Sequence, residues 1–320
     1  MIFNKIREKF PSRKFKIGFP EVLDHRIHKA LQNLVKEKLI EEIFIFSSEQ
    51  SFYGSCSLET KKFFLKKTSL LRVVSDFYKD LEQNIFSALE SNLLQKKRRV
   101  NEKELWEKAA HPLYQSLYLL SVGELDCVVA GCCYTTKDVI KAGLELLGKK
   151  KGAATINSST LLMREGKKNF AAFFADCGVI MSPTSEQLVD IAEATVATYS
   201  SLRFLFHQQK PCVVFLSFAT HDSAFDRSVA KMSQAREMFA MRNPEVLVDG
   251  PLQFDAAFDL KVRTKKVQVN ALGDNEANIY LFPDLNAGNI SYKIAQKLGG
   301  CESFGPLLQG FPYPFSDLSR

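Results

Sequence analysis

The chain has 320 residues, 46% hydrophobic and 25% charged, a balance that excludes a disordered or low-complexity protein and leaves room for two domains. Lys and Arg number 43 against 36 Asp and Glu, a formal charge of +7. Such an excess attracts phosphorylated or carboxylated small molecules, and more weakly nucleic acid or anionic membrane, without choosing among them.

In chain order, short apolar runs read as strands at "KIGF" (16–19), "EIFIFS" (42–47), "CVVAG" (127–131), "NFAAFFA" (169–175), "CVVFLSF" (212–218), "EVLVD" (245–249) and "NIYLF" (278–282). Amphipathic stretches between them read as helices at 25–38, 136–148, 185–206 and 288–298. Apolar runs of this length alternating with helices specify parallel strands joined by crossovers, an α/β fold. "GKKKGA" at 148–153 is the expected domain break, and the basic run Lys96-Lys97-Arg98-Arg99 reads first as a solvated connection.

The cysteines, odd in number at 7 and without C-x-x-C spacing, read as reduced thiols. The N-terminal "MIFNKIREKFPSRKFK" lacks the apolar core of a signal peptide, and "FAAFFADCGVIM", interrupted by Asp176, is too short to span a bilayer. A cytoplasmic protein without a membrane or nucleic-acid partner is expected.

Ligands of open α/β sheets bind beyond the C-terminal ends of the strands, so the segments just after the apolar runs are the candidates. These are Gly131-Cys132-Cys133-Tyr134-Thr135-Thr136, leading into a helix with Lys141; Ser217 to Ser223; Asp249 to Gln253; and Pro283 to Asn289. In the last, Gly288 permits close approach of a ligand to a helix N-terminus, whereas Asp284 and Asn286 serve equally as caps. No P-loop, G-x-G-x-x-G, H-E-x-x-H or G-x-S-x-G is present. His25 and His28 lack a third metal ligand in the sequence and read as surface or cap residues. Cys132 and Cys133 read as small packing residues after a buried strand.

Five segments together resemble the signature blocks of the phosphate acetyltransferases: "FPEVLDHRIHKA" (19–30), "VAGCCYTTKDVIKAGLELLG" (129–148), "DGPLQFDAA" (249–257), "FPDLNAGNISYK" (282–293) and "GPLLQGFPYPFSDLSR" (305–320). "LSFATHDS" (216–223) is similar more loosely. The resemblance implies reversible acetyl transfer between coenzyme A and inorganic phosphate, with coenzyme A and acetyl phosphate as substrates and no tightly bound cofactor or metal. It also implies two α/β domains with mainly parallel sheets, like those of isocitrate and isopropylmalate dehydrogenases, an active site in the interdomain cleft, and a homodimer. The expected domains are 1–147 with 301–320, and 148–300.

By the same resemblance Ser319 and Arg320 are catalytic. The planar guanidinium grips phosphate or carbonyl oxygen and the hydroxyl bonds the reacting group. Lys141, Thr135, Thr136, Ser159, Asp284, Asn286 and Gly288 are the expected substrate-binding residues. Three departures stand out. Lys141 falls where the family has an arginine, and Gln95, beside Lys96 and Arg98, aligns with another. The family also continues past Leu-Ser-Arg to an acidic residue, whereas this sequence stops at Arg320. A slowed enzyme is therefore expected, the alternatives being a non-catalytic coenzyme A-binding paralogue and a butyryl-transferring relative.

Overall fold

The computed structural model describes residues 2–10, 13–97, 99, 101–166, 169–206 and 209–318. Its strands are β1 (Phe15–Gly18), β2 (Ile40–Ile45), β3 (Leu71–Val73), β4 (Cys127–Ala130), β5 (Asn157–Arg164), β6 (Phe170–Ala175), β7 (Cys212–Leu216), β8 (Leu247–Leu252), β9 (Ile279–Leu281), β10 (Glu302–Gln309) and β11 (Phe315–Asp317). The chain divides into two compact units, one of residues 10–151 with 311–320, the other of residues 1–9 with 152–310. Both are mixed α/β.

In the first unit the strand order is β3-β2-β1-β4-β11, and every neighbouring pair is parallel. Helices cover the central part of the sheet: Ile43, Phe44 and Ile45 are all fully buried, while Glu41 and Glu42 at the start of β2 keep some exposure. Ile27 and Leu31 of the helix His25–Lys36 and Phe52 and Phe64 of two short helices pack against Ile40, Ile43 and Ile45. The helix Thr136–Leu146 follows β4 directly, with Thr135 at its N-cap accepting from the Asp138 N–H. That capping bond satisfies one of the free N–H groups of the first turn.

In the second unit the order is β10-β5-β6-β9-β7-β8. The β10–β5 and β5–β6 pairs are antiparallel, and β6–β9, β9–β7 and β7–β8 are parallel. Alternation along the strands feeds two cores. Phe173, Val213, Phe215, Ile279 and Leu281 meet the helices Ser185–Ser201 and Arg227–Arg242, while Phe174, Val214, Leu216 and Tyr280 meet Ala257 and Tyr292 on the opposite face. Sheet faces buried on both sides explain the continuous apolar runs.

The boundaries differ from those expected. Residues 301–310 belong with 152–310 because β10 forms an antiparallel ladder with β5, from Glu302 opposite Met163 to Gln309 opposite Asn157. Residues 1–9 join the same unit, where the Lys5 ammonium donates to the Leu205 carbonyl at 3.1 Å. Among the described residues, no helix is long and apolar enough to cross a membrane.

Candidate active site

In the first unit, parallel strands bring the C-terminal ends of β1, β4 and β11 to one edge. Just past β1, Glu21 is 7% exposed, and its carboxylate accepts three consecutive backbone N–H groups from the segment after β4. They come from Cys132 at 2.9 Å, Cys133, and Tyr134 at 2.7 Å. A carboxylate in a concave row of N–H groups pays for its burial with charge-assisted bonds and fixes the loop. Beside it, Asp24 caps the helix His25–Lys36, and its carboxylate forms a fork–fork pair with Arg26, at 2.9 Å on each arm. That guanidinium holds the Asp24 carboxyl well below the usual carboxylate range and also donates to the Cys132 carbonyl at 2.9 Å.

β11 is anchored along β4, and the Leu318 N–H donates to the Ala130 carbonyl at 2.6 Å. Asp317, 1% exposed, accepts from the Thr136 hydroxyl at 2.6 Å. Gly131 is required where this carboxylate crosses the β4 end: its φ is +91°, and a Cβ there would stand 1.9 Å from Asp317 Oδ1. The chain is thus held up to Leu318; Ser319 and Arg320 lie outside the described residues.

Of the residues expected here, Thr135 and Thr136 have structural work of their own, the first as N-cap and the second as the partner of Asp317. Lys141, on the same helix, is exposed, with its ammonium 4.0 Å from Glu145. Gln95 ends the helix Leu81–Gln95, the Lys96 ammonium donates to the Leu144 carbonyl at 3.4 Å, and Arg98 lies outside the described residues. His25 is exposed, whereas His28 is buried, its ring nitrogen 2.7 Å from the Val22 carbonyl.

In the second unit, Asp284 caps the helix Leu285–Lys297 by accepting from the Ala287 N–H at 2.9 Å, and Asn286 is exposed beside it. Gly288 is buried against protein: a Cβ would lie 2.2 Å from the Asp176 carbonyl oxygen, so helix and β6 end are in backbone contact. Ser159, fully buried on β5 opposite Ala175, accepts from the Gln309 amide at 2.9 Å. Asp176 itself accepts from the Ser158 hydroxyl at 2.5 Å and from the N–H groups of Gly178, Val179 and Ile180. Burial nevertheless raises its pKa.

Glu21, Asp24, Arg26, Asp176 and Asp317 were not among the expected site residues. For Glu21, Asp24 and Arg26 the available signal was their place in "FPEVLDHR", immediately after the first apolar run.

The family model described as "Phosphate acetyl/butaryl transferase" matches residues 1–320. The phosphate acetyltransferase of Mycoplasma capricolum is 32% identical over 97% of this chain and 90% of its own. That of Bacillus subtilis is 31% identical over the whole of this chain and 93% of its own. Among solved structures, a phosphotransacetylase from Streptococcus pyogenes matches with a TM-score of 0.80 at 30% identity, covering 99% of this chain and 92% of that one. EutD phosphotransacetylase from Staphylococcus aureus gives 0.75 at 27% identity, with the same coverage. The chain belongs to the phosphate acetyl/butyryl transferase family.

Proposed function

We propose that this protein is a phosphate acetyltransferase, moving an acetyl group reversibly between coenzyme A and inorganic phosphate. The observation that carries the reading is the family match along all 320 residues, with relatives of that name about one-third identical over nearly their full length.

Transfer in either direction passes through a state with negative charge on the carbonyl and phosphoryl oxygens, and oriented donors and cations lower its energy. Arg320 is assigned that charge, with Ser319 as hydrogen-bond donor to the reacting group. The support for this assignment is their position: they directly follow the segment that β4, Gly131 and Thr136 hold in place. Lys141 adds an exposed positive charge on the helix that follows β4. Thr135, Thr136 and Asp317 act as positioning residues, because their polar atoms are engaged with the protein. In the second unit, Asp284 and Asn286 are assigned to the substrate side, and Asn286, exposed on the first helical turn, is the best placed to meet a ligand; Ser159, bonded to Gln309, and Gly288, packed on Asp176, act as positioning residues. Coenzyme A is a substrate rather than a resident cofactor. Family membership also supports a cytoplasmic homodimer, which light scattering of the purified protein would check.

The assay is coenzyme A-dependent release of phosphate from acetyl phosphate, run beside butyryl phosphate. Faster turnover of the acetyl substrate is expected. Saturable coenzyme A binding with no turnover of either would establish a non-catalytic paralogue, and a preference for butyryl would reassign the substrate.

A further inference from the structure

Two adjacent cysteines and an aspartate meet in the first unit. The candidate donor atoms of Asp24, Cys132 and Cys133 lie within 4.8 Å of one another, and Cys133 Sγ is already 3.3 Å from Asp24 Oδ2. Donors sharing one tetrahedral zinc stand roughly 3.5–3.8 Å apart, given metal–ligand bonds of about 2.0–2.3 Å. Only a small adjustment separates the observed arrangement from that spacing. We propose that Asp24, Cys132 and Cys133 bind one thiophilic divalent cation of the zinc or cadmium class, with a fourth position open to solvent.

The surroundings suit such a site. The loop carrying both cysteines is clamped by the three backbone bonds to Glu21, and Asp24 is fixed by capping the helix that begins at His25. These bonds hold the donors as outer-shell contacts do in metal centres. Cys132 is buried among Phe19, Val22 and Ile27, which limits water at one side, while Cys133 is exposed and gives an entry path. Two thiolates and a carboxylate favour a thiophilic ion over magnesium or calcium.

Without metal, the positive charge at this point is Arg26, with Nη2 at 2.9 Å from Asp24 Oδ2 and 3.9 Å from Cys133 Sγ. Its side chain is 48% exposed, and the incoming cation must displace it from Asp24 and from the Cys132 carbonyl. Binding converts both thiols to thiolates: two S–H bonds break, two metal–sulfur bonds form, and two protons pass to solvent. The site is independent of the acyl-transfer reading and supplies no metal to that reaction.

The full chain, reduced and freed of metal, is titrated with Cd²⁺ while the ultraviolet thiolate-to-cadmium absorption is followed and a chelator of known affinity competes. One Cd²⁺ per chain with the intensity of two sulfur ligands is expected. Cys133→Ser, at an exposed position that leaves folding intact, should halve the intensity and weaken binding roughly tenfold or more. Asp24→Asn should weaken binding at unchanged intensity, and Cys56→Ser should alter neither. A full-strength band in Cys133→Ser, loss of the band in Cys56→Ser, unchanged affinity in Asp24→Asn, or no sulfur band at saturating Cd²⁺ would each overturn the proposal.

Discussion

Thr136 and Asp317, 181 residues apart in sequence, are joined by a 2.6 Å hydrogen bond at the C-terminal ends of two neighbouring parallel strands. It ties the helix that follows β4 to the strand that ends two residues before Ser319. Thr136→Val removes the donor and leaves a buried carboxylate one partner short, at a cost of about 1–3 kcal/mol in urea unfolding. The same variant should lower kcat by about 10- to 100-fold with a smaller change in KM, since the reacting groups lose their placement rather than their chemistry. Thr136→Ser should restore both; a variant that unfolds earlier yet turns over normally would confine this bond to stability.

Glu21 is the acceptor for three successive N–H groups. Its replacement by alanine strands those donors, and a loss of about 1–3 kcal/mol is expected by chemical denaturation. Glu21→Gln retains one acceptor oxygen and should cost less. Equal stability of all three proteins would mean that the loop is held by something else.

Gly288 packs its backbone on Asp176. Gly288→Ala forces Cβ into a carbonyl oxygen that cannot yield cheaply, so thermal unfolding should show a loss of about 1–3 kcal/mol before any ligand is added. An unshifted melting temperature with weakened coenzyme A binding would instead mark Gly288 as a point of ligand approach.

Much of this architecture is legible in the sequence, and the omissions have physical causes. The runs of β4, β6, β7 and β9 show because both sheet faces are covered and the residues are apolar throughout, and those of β1, β2 and β8 show through their apolar stretches despite Lys16, Glu42 and Asp249. β5 begins Asn157-Ser158-Ser159-Thr160, all polar yet buried, with Gln309 and Asp176 among their partners. Nothing local marks such a strand. β10 contains Gly305-Pro306, a pair that normally argues against a strand, and β3 and β11 are three residues each. The helix-capping roles of Thr135 and Asp284 follow from local rules. The roles of Glu21 and Asp317 do not, because their partners lie more than 100 residues away.

Tyr199 supplies a test at alkaline pH. Its hydroxyl donates to the Gln209 carbonyl at 3.2 Å and accepts from the Asn278 amide at 3.0 Å, and burial pushes its pKa from 10.0 up to about 12. A raised value means that the folded state favours the neutral phenol. The associated stability is complete below about pH 10 and is lost as pH rises through about 12, on the order of 3 kcal/mol at most. Tyr199→Phe should be less stable at neutral pH but show a flatter decline between those limits in urea unfolding. Parallel declines for the two proteins would contradict the assignment.

The most direct test of the acyl-transfer account compares the native chain with Arg320→Ala for coenzyme A-dependent release of phosphate from acetyl phosphate. Turnover by the native chain, falling about 10²- to 10³-fold in the variant, is the expected result, as for loss of one group that stabilises transition-state charge. No turnover by the native chain, or equal rates in both, would contradict it.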